Sequence, residues 1–480
     1  MAEKHKAGKD DLLKDGVSFY PADQHDLDTY AAARQQLAEF KVPVLIRAGN
    51  PNERLFVASF DGTGNDGYND PEHATHVSRI EEELRRAAVR ARTEGREPQV
   101  VTGYIAGPGT QQNPVSNFID KAVGHTYEER IENMYKQFIE QAHRWKTQNP
   151  DIQIRLLDMG FSRGGEEAVG FSRLVHDRGI QDPTGAVYKY DSAGQIKSVR
   201  YTRPPLVAPG ETPQAAMLFD PVGTGEPVWK HDRRLPASVI SVLQLTAEDE
   251  RRSLFKSTPA TDLGLSEDGR ALNMMVGGCH SDLVGSYHRN GLGVLAGHVA
   301  TDYINALSDR PILAKQAVPD DPRLFVVHRS EEGMLLYRLT PKVDRTTSEG
   351  RNDRLVPKDQ LEHVADGYNP EPRDEALASQ FEFRKVPLNP APKAPEAAQR
   401  HDDPATVVDR LLAAATAGDT AAFRDATRSA ADHDAARALR QHAVTTVDQQ
   451  QLAASQQQAT QQQDAQQQEA HARRQTVPMH

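Results

Sequence analysis

Apolar positions form a repeating pattern between about residues 54 and 310. Short apolar runs that read as strands cover Arg54 to Phe60, Gln99 to Ile105, Ile152 to Met159, Ala215 to Phe219, Val239 to Leu245 and Leu272 to Val276. Longer stretches with helical spacing separate the first three. A charged helix is predicted from His76 to Arg92. From Tyr127 to Lys146, the residues Ile131, Met134, Tyr135, Phe138, Ile139, Ala142 and Trp145 recur at steps of three and four, which puts them on one helix face. Asn149-Pro150 ends that helix. Strands that are apolar throughout and alternate with helices belong in a sheet covered on both faces, so the fold class is α/β with a mostly parallel sheet.

The flanks have a different texture. Residues 1–50 read as a polar extension, weakly helical from Tyr30 to Phe40, and residues 51–312 as the α/β domain. Residues 183–212, rich in Pro, Gly, Tyr and Asp, look like an insertion within it. Residues 313–386 form an accessory segment with a predicted hairpin, Leu324 to Val327 against Met334 to Tyr337 around Glu331-Glu332-Gly333. Pro387, Pro390, Pro392 and Pro395 make 387–400 a stiff linker. In 401–480, Asp403 can cap a helix that has Pro404 at its first position and Gly418 beyond its end. From Gln441 onward 14 of 40 residues are Gln, so this tail is of low complexity.

Composition narrows the function. The 480 residues carry 57 Lys and Arg against 68 Asp and Glu, a formal charge of −11, which argues against a general nucleic-acid binder. A single cysteine, Cys279, excludes an internal disulfide framework and a cysteine-rich zinc module. No run approaches the ~20 apolar residues that span a bilayer. Met1 to Tyr20 lacks an apolar signal core. Synthesis as a soluble cytoplasmic chain is expected, and action elsewhere would require export without a cleaved signal.

The chemistry gathers at strand ends. Gly160-Phe161-Ser162-Arg163-Gly164 joins a predicted strand to a predicted helix and matches the G-x-S-x-G nucleophile elbow. There a serine sits on a strained turn, and the small residues two before and two after relieve crowding. A base and an acid should follow in the order Ser, acid, His. His280 follows the strand ending at Val276 and a Gly-Gly turn. Asp220 follows Phe219 and is the favoured acid, and Asp249, past the Val239 to Leu245 strand, is its alternative. Asp61-Gly62-Thr63 resembles the end of an aspartyl-phosphate loop, D-x-D-G-T, but the nucleophile position is Ser59. The better reading is a turn whose backbone, at Gly62 or Thr63, lends an oxyanion donor beside the Arg163 N–H. Cys279 reads as a buried structural thiol. His73 and His76 lack metal partners, and no metal or other cofactor is expected.

Taken together, these motifs resemble those of the first family of lipase effectors of the bacterial type VI secretion system and related α/β-hydrolase domains. The resemblance is carried by Phe60-Asp61-Gly62-Thr63-Gly64-Asn65, Tyr104-Ile105-Ala106-Gly107-Pro108-Gly109-Thr110, the elbow, Phe219-Asp220-Pro221-Val222-Gly223, Asp249-Glu250-Arg251-Arg252-Ser253-Leu254-Phe255 and His280-Ser281-Asp282-Leu283-Val284-Gly285-Ser286-Tyr287. It covers about residues 54–305. It implies an α/β-hydrolase fold, Ser162 as nucleophile, His280 as base, Asp220 as acid, and membrane phospholipid esters as substrate. It also implies secretion machinery or a chaperone, and a cognate immunity protein, as partners. Gly165-Glu166-Glu167, where relatives have Ala and an aromatic, and Leu283-Val284, where they have more glycine, depart from the pattern. The Gln-rich tail is similar in composition to secretion domains of type IV antibacterial effectors of the Xanthomonas group. A serine esterase or thioesterase acting on a soluble substrate, and an inactive hydrolase-fold carrier or adaptor, are the alternative readings.

Overall fold

The structure is a computed structural model and describes residues 15–108, 126–190, 196–333 and 335–392. They all lie in one compact unit, Met1–Ala394. The predicted Asp403 helix and the Gln-rich tail fall outside the described residues.

At the front, β1 (Phe19–Pro21), α1 (Gln24–Glu39) and β2 (Lys41–Pro43) follow one another. The predicted alternation follows as β3 (Glu53–Phe60), α2 (His76–Thr93), β4 (Val100–Ile105), α3 (Thr126–Gln148), β5 (Gln153–Phe161) and α4 (Arg163–Arg178). Within the predicted insertion, β6 (Ala186–Tyr190) and β7 (Ile196–Tyr201) pair antiparallel. Then come β8 (Gln214–Phe219), α5 (Glu226–Lys230), β9 (Val239–Ala247), β10 (Gly264–Leu265), β11 (Ala271–Val276) and α6 (Gly291–Ala306). The rear holds β12 (Val326–His328), α7 (Leu335–Leu339), α8 (Glu375–Ala378) and β13 (Phe383–Lys385).

The central sheet runs β10-β11-β9-β8-β5-β3-β4 and is parallel except for β10. Every residue of β3 and of β9 is buried, which is why these strands read as continuous apolar runs rather than alternating ones. Alternate side chains serve opposite layers. Leu55, Val57, Leu157 and Met159 meet Leu37 of α1, Val77 and Leu84 of α2 and Tyr303 of α6. Phe56, Ala58 and Leu156 meet Phe138 and Trp145 of α3 and Phe171 of α4. Among the described residues no helix is long and apolar enough to cross a membrane.

Chain order places the crevice. From β3 the chain moves outward to β4, then returns past β3 to β5 and continues to β8, β9 and β11. Helices α2 and α4 therefore leave β3 and β5 on opposite faces, which opens a gap above the carboxyl ends of those two strands.

The predicted hairpin in 323–340 is not formed. Val326–His328 pairs with Phe19–Pro21 instead, and the second arm is helical at Leu335–Leu339. The β-branched Val326-Val327 suits a strand, whereas Leu335-Leu336-Tyr337-Arg338-Leu339 is rich in helix formers.

Phe138 is fully buried, with ring centroids 5.2 Å from Phe56 and 6.2 Å from Phe171. It ties α3 to both the sheet and α4. Phe138→Ala is expected to cost about 3–5 kcal/mol of stability, measured by urea unfolding, because this three-ring contact leaves a cavity that rigid strands cannot close.

Candidate active site

Strand β5 passes into α4 through one residue, Ser162, with φ 58° and ψ −125°. Among the described non-glycine residues only Ser162 and Asp220, at φ 40°, have positive φ. Such backbone costs of order 1–3 kcal/mol and persists only where its surroundings over-determine it. Ser162 N–H donates to Phe219 O at 3.0 Å, and Ser162 O accepts from Val222 N–H at 3.2 Å and Gly165 N–H at 3.0 Å. The elbow is thus sewn to the end of β8 on both sides of Asp220. The flanking glycines are steric necessities. A Cβ on Gly160 would lie 2.1 Å from Gly164 O, and one on Gly164 would lie 2.2 Å from Phe60 O.

The loop after β3 is held from within. Asp61 is buried and accepts from Thr75 Oγ1 at 2.8 Å, Tyr104 OH at 2.7 Å and Gly62 N–H at 2.8 Å. Burial pushes its carboxyl pKa up against the pull of these bonds. The Gly62 N–H expected as an oxyanion donor is therefore directed at Asp61 Oδ1. Thr63 follows in the same loop, and its buried Oγ1 has no partner among the described residues. Arg163 opens α4, so its backbone N–H belongs to the first turn, where donors have no intrahelical acceptor.

His280 Nδ1 lies 2.5 Å from Asp220 Oδ2, with both side chains buried. Asp220 N–H donates to Leu245 O at 2.7 Å, and Asp220 Oδ1 accepts from Ala247 N–H at 3.1 Å. The Arg345 fork spans the same carboxylate, Nη1 to Oδ1 at 2.7 Å and Nη2 to Oδ2 at 3.2 Å. Burial alone would raise the Asp220 pKa, but the Arg345 charge and the His280 contact outweigh it and hold it at about 2. An ionised Asp220 accepts from Nδ1–H, which leaves the lone pair on Nε2. That Nε2 is buried and has no partner among the described residues. Burial also pushes the His280 pKa below its ordinary value, against the pull of Asp220, so the ring is neutral near pH 7.

The His280 ring sits 4.5 Å from the ring of Phe161, the residue before Ser162, and 5.2 Å from that of Phe255. Phe255 meets Tyr337 edge-on at 5.6 Å. The site is closed in this structure, with Ser162 only 4% exposed and His280 2%. The structure thus sets Asp220 against His280 and ties the Ser162 backbone to the end of β8 that carries Asp220, while no hydrogen bond joins His280 Nε2 to Ser162. Asp249 does not reach the ring: Oδ2 accepts from Gly278 N–H at 2.7 Å and Oδ1 from Tyr20 OH at 3.3 Å, so it braces the turn before His280. Cys279 is buried and accepts from Ser330 Oγ at 2.9 Å, and burial pushes its thiol pKa well up. His76 donates from Nε2 to Gly293 O at 2.6 Å, and burial lowers its pKa to about 3.

Arg345 is the residue that sequence reasoning missed. It arrives on a turn, closed by Thr347 N–H to Asp344 O at 3.2 Å, whose flanks are bonded to 251–257 through Val343 N–H to Arg251 O at 2.9 Å, Ser257 N–H to Gly350 O at 2.9 Å and Asn352 N–H to Ser257 O at 2.7 Å. Its neighbourhood has neither periodicity nor motif. The acidic departures after the elbow are matched in a similar way. Glu166 is buried against Arg233, which bonds it at 2.8 Å through Nη2, and Glu167 meets Arg130 Nε at 2.6 Å.

Gly164→Ala is expected to lower stability by more than about 2 kcal/mol, read as a fall in Tm, because the new methyl meets two carbonyl oxygens that neither strand can withdraw.

Residues 54–200 match the family model described as the type VI secretion system phospholipase effector Tle1-like, catalytic domain. Asp220, His280 and Arg345 lie beyond the matched stretch. No curated protein matches. Similar solved structures include the Tle1 effector bound to the VgrG spike of the type VI secretion system, at 17% identity and a TM-score of 0.29, covering 49% of this chain and 51% of that one. An uncharacterized protein from Pseudomonas aeruginosa is similar at 15% identity and a TM-score of 0.34, over 85% and 66% of the two chains. The apo form of Thermogutta terrifontis esterase 2 is similar at 13% identity and a TM-score of 0.25, over 54% and 85%. The chain thus spans about half the length of the Tle1 chain. By sequence, the stretch that runs from β3 through the elbow to the insertion is similar to the catalytic domain of Tle1-like phospholipase effectors of the type VI secretion system.

Proposed function

We propose that the protein is a serine esterase acting on the acyl esters of membrane phospholipids, delivered into a target cell as a secretion-system effector. The observations that carry the chemistry are the strained Ser162 at the elbow, sewn to the end of β8, and the His280–Asp220 pair, in which Nδ1 rests on Asp220 and Nε2 has no partner among the described residues. In this reading Ser162 Oγ attacks the ester carbonyl carbon while His280 Nε2 takes its proton. Asp220 stabilises the imidazolium that forms. Backbone N–H groups of Arg163 and Thr63 receive the oxyanion. Collapse of the tetrahedral intermediate expels the lipid alcohol, which takes the proton from His280 and leaves an acyl-serine. Water, deprotonated by the same Nε2, attacks that ester; the acyl–Oγ bond breaks, the fatty acid leaves, and His280 returns the proton to Ser162 Oγ.

The lipid part of the proposal rests on the matched family model over 54–200. Because the site is closed, an acyl chain enters only if Phe255 and Tyr337 give way. Secretion machinery or a chaperone, and a cognate immunity protein, complete the proposal as partners, and the target-cell membrane is the place of action.

A fluorophosphonate probe is expected to label the wild type, and Ser162→Ala to abolish labelling. A wild type that neither labels nor turns over esters sinks the enzyme reading. Incubation with mixed phospholipids, followed by mass analysis, should yield free fatty acid and lysophospholipid. Turnover of soluble esters alone would move the substrate class. Asp220→Asn is expected to lower kcat by roughly 10⁴-fold and Asp249→Asn far less. The reverse order, read from initial rates, would reassign the acid.

A further inference from the structure

A buried carboxylate that carries a histidine has two ways to fail. It can rotate, so that its lone pair leaves the imidazole, or it can shed its charge by binding a proton. Asp220 is exposed to both. It is fully buried, and its backbone is held at a positive φ. Ala247 N–H anchors only Oδ1. The group that addresses both failures comes from outside the strand-end motifs. Arg345 is fully buried, bridges Oδ1 and Oδ2 with two nitrogens, and is itself fixed by Phe255 O at 2.5 Å and by Ala247 O at 3.4 Å.

We propose that Arg345 is a positioning residue of the catalytic machinery, whose guanidinium fork sets the plane of the Asp220 carboxylate and keeps His280 in its neutral, proton-accepting form. The inference rests on the serine-esterase reading and adds to it a cation that the family motifs do not contain. A planar fork suits this task better than an ammonium, because two parallel N–H bonds fix a carboxylate's rotation as well as its charge.

The electrostatic consequence has a definite sign. The charged groups that face His280 are Asp220 from the end of β8 and, from the loop after β9, Glu250 and Arg252. Glu250 and Arg252 bond each other at 2.8 Å through two nitrogens and oppose each other in sign. Arg345 acts on the ring through Asp220. With Arg345 present, part of the Asp220 field is spent on the guanidinium, and the ring binds a proton less readily. Without it, the Asp220–His280 pair holds its shared proton more tightly, whichever atom carries it. The base then stays protonated to higher pH. A residue that merely supported the fold would lower the rate or the melting temperature without moving that limb.

The test uses the full-length chain, p-nitrophenyl butyrate as the ester probe, and the variants Arg345→Met and Arg345→Lys. For Arg345→Met we expect kcat to fall roughly ten- to a hundredfold with a smaller change in KM, and the acid limb of kcat/KM to move to higher pH. For Arg345→Lys, which keeps the charge and loses the fork, we expect the limb to stay in place and kcat to remain reduced. An unchanged Arg345→Met profile, a rate loss without displacement of the limb, or full rate in Arg345→Lys would each overturn the proposal. Thermal melts check folding. If Arg345→Met does not fold, Arg345→Lys decides by its own expectation: a reduced kcat with the limb in place supports the proposal, and a full rate or a displaced limb overturns it. The low-field proton NMR signal of His280 Nδ1–H, followed against pH in wild type and variants, reports the pair without turnover. An inert wild type with a displaced His280 titration would sink the esterase reading and leave the Arg345 assignment standing, and an active wild type with an undisplaced titration would do the opposite.

Discussion

Backbone lying directly against backbone is the constraint on which the site depends. The parallel register sets Phe60 beside Gly160 and Phe161 beside Phe219, so three strands end at one level. Above that level the chain has to turn within a space that holds no side chain. Carbonyls of Phe60 and Gly164 lie where a methyl on Gly164 or Gly160 would sit, and Gly62 O lies 1.6 Å from where a Cβ on Gly107 would be. The close approach brings the loop after β3, the elbow and the end of β8 together, and the strained dihedrals of Ser162 and Asp220 follow from it.

A second regularity is charge matching between buried side chains. Around the elbow buried carboxylates face guanidinium groups, among them Asp220 with Arg345, Glu166 with Arg233 and Glu250 with Arg252. Each pair also satisfies backbone groups, as when Arg233 Nη2 donates to Thr258 O at 2.8 Å and Glu250 Oε1 accepts from Arg252 N–H at 2.8 Å. Buried pairs of this kind add little net stability, since desolvation offsets their attraction, but removing one partner strands a charge and is expensive. They favour one arrangement of loops over others. The acidic Glu166 is thereby accounted for: its partner Arg233 is buried with it.

How much of this is legible from residues alone depends on the range of the cause. The strands of the central sheet are visible because burial on both faces makes them mostly apolar. The elbow is visible because the crowding that requires Gly160 and Gly164 is local. The choice between Asp220 and Asp249 is not, because both follow strand ends, and only the geometry tells which carboxylate faces the imidazole and which holds the Gly278 N–H. The Gly62 donor is misread for a similar reason, since the bond that takes it comes from its own neighbour, Asp61. Pairing of Val326 with Pro21 escapes detection because a strand seeks an edge, and the edge is some three hundred residues away. Arg345 reaches Asp220 across 125 residues, with no repeat, spacing or composition to announce it.

That last separation has a consequence for the chain while it is being made. Translation delivers Ser162 first, then Asp220, then His280, and Arg345 only when the polypeptide is well past α6. A chain that ends before that point contains the residues of the central sheet and the elbow but lacks the guanidinium that bridges Asp220. The charge that bridges the Asp220 carboxylate is therefore the last of these four groups to be synthesised, and products that stop short of it lack the finished arrangement.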